Sequence, residues 1–145
     1  MIDLDNQTTL PVDIDALEKI AESLSSNEVE LIITDDKTMR ELNAEYRQKD
    51  SITDVLSFPL EAPFTEQSVF DLPLGSIIIA ASFVKSKAQE HRHTIQDELS
   101  LLFIHGMLHL LGYDHENDDG EMRAREKEII EQFDLPKSLI IRTQE

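Results

Sequence analysis

Apolar and polar positions alternate along this chain with two distinct periods, and the period changes mark the elements. Residues 1–5 read as a short first strand. Asp13 can cap a helix whose apolar residues Ile14, Leu17, Ile20, Ala21 and Leu24 fall on one face, and Ser25 to Asn27 end it. Val29 to Thr34 is alternating and rich in β-branched residues, which predicts a strand. Asp35 or Asp36 opens a second helix, with Met39, Leu42 and Tyr46 expected on its inner face. Residues 54–58 predict a strand stopped by Pro59, and a polar loop with two prolines covers 61–73. Gly75 leads into a strand over 76–80, and Phe83, Val84 and Ala88 mark the helix after it. Thr94 and Asp97 form a capping box for the next helix. That helix, through Leu99, Leu101, Leu102, Phe103, Ile104 and Leu108, is apolar almost all round and is therefore expected to be buried and central. Gly112 is placed as its left-handed stop. A last helix starts near Asp118 or Asp119, turns Met122, Ile129, Ile130 and Phe133 inward, and ends before Pro136. Strands and helices mix without strict alternation, so the expected class is α+β, one small mixed sheet of about four strands packed with helices.

The 145 residues suit one domain, 1–145, able to bury a core without staples. The chain has no cysteine, so a metal site here must use His, Asp or Glu. The N-terminus lacks a basic start followed by an apolar stretch, and no apolar run is long enough to span a membrane, so a cytoplasmic protein is expected. A net charge of −17 repels bulk nucleic acid and argues against RNA or DNA partners.

Residues 105–115 read His-Gly-Met-Leu-His-Leu-Leu-Gly-Tyr-Asp-His. His105 and His109 are four residues apart on the central helix, so both imidazoles project from one face. Gly112 lets the backbone turn and can bring His115 to the same point. Three imidazoles with no further protein ligand fit one catalytic zinc ion with an open fourth position. A lone His-x-x-x-His on an apolar helix would be a core accident more often than a site. The triple with its glycine is not explained that way, because three imidazoles beside a dense apolar run cost desolvation unless something satisfies them. The spacing equals that of the metzincin peptidases, whose glutamate base is replaced here by Gly106, which cannot accept a proton.

The same segment resembles the signature of the YbeY family of bacterial endoribonucleases. A second block agrees with that family: Leu42-Asn43, Tyr46-Arg47 and the run Thr53-Asp54-Val55-Leu56-Ser57-Phe58-Pro59. With the order of elements, the resemblance covers nearly the whole chain. It implies an α+β fold, a zinc held by His105, His109 and His115, and single-strand-specific RNA cleavage. It further implies a part in 16S rRNA 3′-end maturation and ribosome quality control, hence ribosomal RNA and the small subunit as partners, with no DNA and no membrane. One departure stands out: the family usually carries Gly-Asp where this chain has Gly75-Ser76.

Within that reading His105 and Arg47 are the catalytic candidates. A guanidinium stays charged and binds phosphate in a fork; the plain alternative for Arg47 is a solvated loop charge. Lys49 is a weaker candidate for phosphate contact and reads more simply as surface. Asp114 and Glu116 flank His115 and are candidates to orient a ligand imidazole, or are turn carboxylates facing water. Asp54 and Ser57 line a cleft or belong to an ordinary edge strand. His91 and His93 are expected on the surface between helices. Two other functions compete: a zinc hydrolase of another substrate such as a peptide, and a non-catalytic ribosome-assembly factor whose metal only stabilises the fold.

Overall fold

A computed structural model describes residues 1–60, 73–114 and 117–136. Along the chain lie β1 (Ile2–Asn6), α1 (Ile14–Leu24), β2 (Val29–Thr34), α2 (Asp36–Arg47), β3 (Val55–Pro59), β4 (Gly75–Ala80), α3 (Ala81–His91), α4 (Ile95–Leu110) and α5 (Glu121–Gln132). The four strands form one mixed sheet in the order β1-β2-β4-β3. β1, β2 and β4 run parallel, and β3 pairs antiparallel with β4. This is the α+β class that the mixed periods predict. The expected loop at 61–73 lies, except for Pro73, outside the described residues. Among the described residues no helix is long and apolar enough to cross a membrane.

β4 shows why the sheet is covered on both sides. Its successive side chains point to opposite faces. Ile77 and Ile79 join the main core with Leu31, Ile33, Leu99, Phe103 and Met107. Ile78 and Ala80 join a second cluster with Met39 and Leu56. A strand buried on both faces reads as a continuous apolar run, as Ser76-Ile77-Ile78-Ile79-Ala80 nearly does. One layer of the fold is built on α4, buried along Glu98–Ser100, Leu101–Ile104 and Gly106–Leu108; the other layer is built on α2.

The caps that the sequence predicts are present. Asp13 accepts from the Ala16 amide and Asp35 from the Thr38 amide, and the latter bond holds the Asp35 carboxyl below its ordinary range. Thr94 and Asp97 form the reciprocal capping box. Near α5 the Asp118 carboxylate accepts from the amides of Gly120 and Met122, and the helix begins at Glu121, two to three residues later than the sequence places it. Two expectations fail. Tyr46 does not face inward; it is 59% exposed, and buried Asn43 sits on the inner face of α2 beside Met39. His93 is not on the surface. Its side chain is 2% exposed and its Nε2 lies 3.0 Å from the fully buried Glu98 carboxylate. His91 closes α3 and stacks on His93 with ring centroids 5.8 Å apart. A buried carboxylate needs a partner, and the turn between α3 and α4 supplies one.

Candidate functional site

The last two turns of α4 carry His105 and His109, both half-buried. Their rings meet nearly edge-on, with centroids 4.7 Å apart and planes at 78°. The two Nε2 atoms are 3.1 Å apart. Two nitrogens bonded to one tetrahedral ion at about 2.0–2.1 Å would stand about 3.3–3.4 Å apart, so the separation of the pair is close to what a shared cation would require.

Behind His105 stands a group that the linear pattern does not mark. Glu126 lies on α5 at helical spacing from Met122, Ile129 and Ile130, on the face that docks against the core. Its side chain is 4% exposed, and its Oε1 is 2.8 Å from His105 Nδ1. A carboxylate among apolar neighbours costs free energy unless paired, and an ionised carboxylate only accepts hydrogen bonds. An ionised Glu126 in this contact accepts from His105 Nδ1–H, and the other ring nitrogen, Nε2, lies toward His109. The signal in the sequence was an acid at a core-facing position of an amphipathic helix. Its partner became visible only once α5 was placed against α4.

The end of α4 is built to turn sharply. Gly112 takes φ +100°, its amide donates to the His109 carbonyl, and the Tyr113 amide donates to that of Leu108. This pair of bonds is a Schellman stop, with Gly112 in the left-handed position where a Cβ is disfavoured. His115 and Glu116, three and four residues on, lie outside the described residues. Among the described residues no group of three His, Asp or Glu side chains gathers to hold a metal; the structure brings together His105 and His109, with Glu126 behind them.

The two imidazoles open into a cleft of about 750 Å³. Its opposite wall is residues 53–59, with Asp54, Ser57 and Phe58 facing it, and its rim includes Arg47, Tyr113 and Asp114. Arg47 is the last residue of α2 and is exposed. Two contacts fix the chain that follows it. Arg40 donates from Nε and a terminal nitrogen to both Asp50 oxygens, at 2.7 and 3.2 Å, and Asn43 donates to the Ser51 carbonyl at 2.9 Å. The guanidinium holds the Asp50 carboxyl below its ordinary range. Lys49 is exposed and does not line the cleft. Asp114 accepts from Asn117 at 2.5 Å, and the carboxylate behind His105 is Glu126. Asp54 and Ser57 satisfy both expectations, since β3 is an edge strand and also a cleft wall. Ser57 Oγ donates to the Gly106 carbonyl at 3.4 Å. Ser76 does not line this cleft; its hydroxyl bonds Glu30 on β2 at 2.7 Å, so the departure at Gly75-Ser76 falls away from the imidazoles.

Close packing holds α4 against the sheet. A Cβ at Gly106 would come within 2.7 Å of Ile77 Cγ2 on β4. The missing side chain thus lets the helix that carries both imidazoles lie directly on the sheet.

Comparison with known proteins bears on what this cleft does. The family model described as Endoribonuclease YbeY matches residues 5–134. A protein of Sulfurovum sp. (strain NBC37-1) named Endoribonuclease YbeY is 70% identical over 142 residues, covering 98% of this chain and 97% of that one. One of the same name from Nautilia profundicola is 52% identical over 145 residues and is covered in full. The solution structure of TM1509 from Thermotoga maritima superposes with a TM-score of 0.61 at 32% identity, over 92% of this chain and 89% of that one.

Proposed function

This chain belongs to the endoribonuclease YbeY family, and from that premise we propose that it cleaves single-stranded RNA with one zinc ion held by His105, His109 and His115. The observation that carries the reading is the convergence of two imidazole Nε2 atoms, 3.1 Å apart, in a cleft that also holds a guanidinium. The donors suit zinc: no thiolate is available anywhere in the chain, and neutral imidazoles leave the charge of the cation uncancelled. When bound, the ion would supply Lewis-acid polarisation of a phosphodiester oxygen. Arg47 would take the non-bridging oxygens in its fork and hold the scissile phosphate in the cleft. Glu126 would keep His105 in one tautomer and one orientation. The substrate proposed is 16S rRNA near its 3′ end, with the small ribosomal subunit as partner and ribosome quality control as the setting. The net charge of −17 argues against a nucleic-acid substrate, and family membership outweighs it.

The test joins elemental analysis to a cleavage assay. The purified protein should carry about one zinc per chain and cut single-stranded but not double-stranded RNA. Arg47→Glu should keep its metal and lose cleavage by about a hundredfold or more, the scale of removing one charge-stabilising donor. Full activity in that variant would remove Arg47 from the site. A wild-type protein that leaves RNA intact would remove the ribonuclease.

Glu126→Gln isolates the carboxylate. The side chain keeps its size and loses its charge, so the fold should persist while metal affinity falls about ten- to a hundredfold. Competition with a chelator measures this directly. Unchanged affinity would reduce Glu126 to a packing residue.

A further inference from the structure

We propose that Tyr46, seated on Phe58, is a stacking platform for an unpaired nucleobase of the RNA, and that stacking rather than phosphate charge dominates substrate binding. The proposal rests on the reading of the substrate as RNA. Among the described residues Tyr46 is the one aromatic side chain counted among the large exposed apolar groups. It precedes Arg47 on the last turn of α2, and its ring centroid is 5.1 Å from that of Phe58 with the planes at 57°. Phe58 is half-buried, packs against the apolar cluster of Met39, Leu56 and Ile78, and lines the cleft. The two rings therefore form a continuous aromatic step. Phe58 is fixed by the core, and Tyr46, though not itself a lining residue, is open to solvent, held by Phe58 and next in sequence to Arg47, both of which line the cleft.

Charge makes such a step necessary. Arg47 is the only lysine or arginine among the described residues lining the cleft. In sequence, residues 61–72 between β3 and β4 have neither residue type, and the whole chain carries −17. RNA-binding proteins ordinarily gain affinity by releasing counterions from phosphates, at a slope of about −0.7 in log K against log salt for each phosphate neutralised on a single strand. One phosphate on Arg47 and one at the imidazole pair give a slope of only about −1.4. A stacked base adds about ten- to a hundredfold in affinity and is indifferent to salt. The same geometry favours single strands, because a paired base has both faces covered by its neighbours in the helix.

The experiment uses the full chain and a fluorescein-labelled single-stranded 2′-O-methyl oligonucleotide, with a matched oligonucleotide of abasic spacers. Tyr46→Ala should weaken binding about tenfold or more, while Tyr46→Trp should keep it. Wild type should discriminate against the abasic oligonucleotide, and Tyr46→Ala should lose most of that discrimination. With a cleavable RNA the loss should fall on KM rather than kcat. An unfolding curve like that of the wild type is expected, since the ring is largely exposed. The platform is overturned if Tyr46→Ala binds as wild type does, if it still discriminates against abasic spacers in full, or if the wild-type salt slope is steeper than about −3, the value for four or more phosphates. Wild type that binds no RNA would overturn the substrate reading together with the platform.

Discussion

Replacing His109 with alanine is expected to reduce RNA cleavage by about a thousandfold or more and to strip most of the metal, with little change in fold. The reasoning starts from geometry. His109 Nε2 lies 3.1 Å from His105 Nε2, and without it a cation keeps one imidazole from this helix. Charge stabilisation by a metal is worth several kcal/mol, and about 4 kcal/mol corresponds to about a thousandfold in rate. The residue is half-buried, at the end of a helix fixed by a capping box at one end and a Schellman stop at the other, so its loss should leave the core in place. Metal content by elemental analysis and single-turnover cleavage are the two readouts. Wild-type cleavage with normal zinc content would remove His109 from the site.

Gly75→Ala is expected to cost about 2–6 kcal/mol of stability, summing backbone strain and overpacking of about 1–3 kcal/mol each. Gly75 sits at φ +146°, and a Cβ there would lie 2.2 Å from the Phe58 carbonyl oxygen and 2.9 Å from the Pro59 Cα. Both are backbone atoms of β3, the strand paired with β4 through Pro59↔Gly75 and Phe58↔Ser76, so neither can swing away as a side chain could. Gly112 offers the control. It also has positive φ, at +100°, but its Cβ would meet nothing within 4 Å. Gly112→Ala should therefore show only the left-handed penalty of about 1–2 kcal/mol. Chemical denaturation of the two variants side by side separates strain from collision. Equal losses would show that the crowding against β3 is absorbed. Because β3 is also a wall of the cleft, Gly75→Ala should lower cleavage as well.

The elements were legible because their signals are local. The capping box at Thr94 and Asp97, the apolar surround of α4 and the glycine at its end are read within a few residues, and each is present. The order β1-β2-β4-β3 was not legible, since which strand neighbours which depends on crossovers that side-chain periodicity does not encode. The site divides in the same way. The spacing of His105 and His109 carried their convergence, because i and i+4 share a helix face. Glu126 is 21 residues from His105, and only the docking of α5 makes them partners. His93 was misplaced for a related reason. A histidine between two helices looks solvated until buried Glu98 claims it. Tyr46 shows the reverse error: three residues at helical spacing suggested one inward face, whereas α2 packs through Met39 and Asn43 and leaves the ring outside.

Gly106 bears on protein engineering. Grafting a glutamate there, to copy the catalytic acid of metallopeptidases with the same histidine spacing, would direct the new side chain at Ile77 instead of at a substrate. The carboxylate would be driven between α4 and β4, where it could be accommodated only by prising the helix off the sheet and carrying both imidazoles with it. One substitution therefore cannot convert this scaffold into a protease, and the barrier is the shape of the β4 surface.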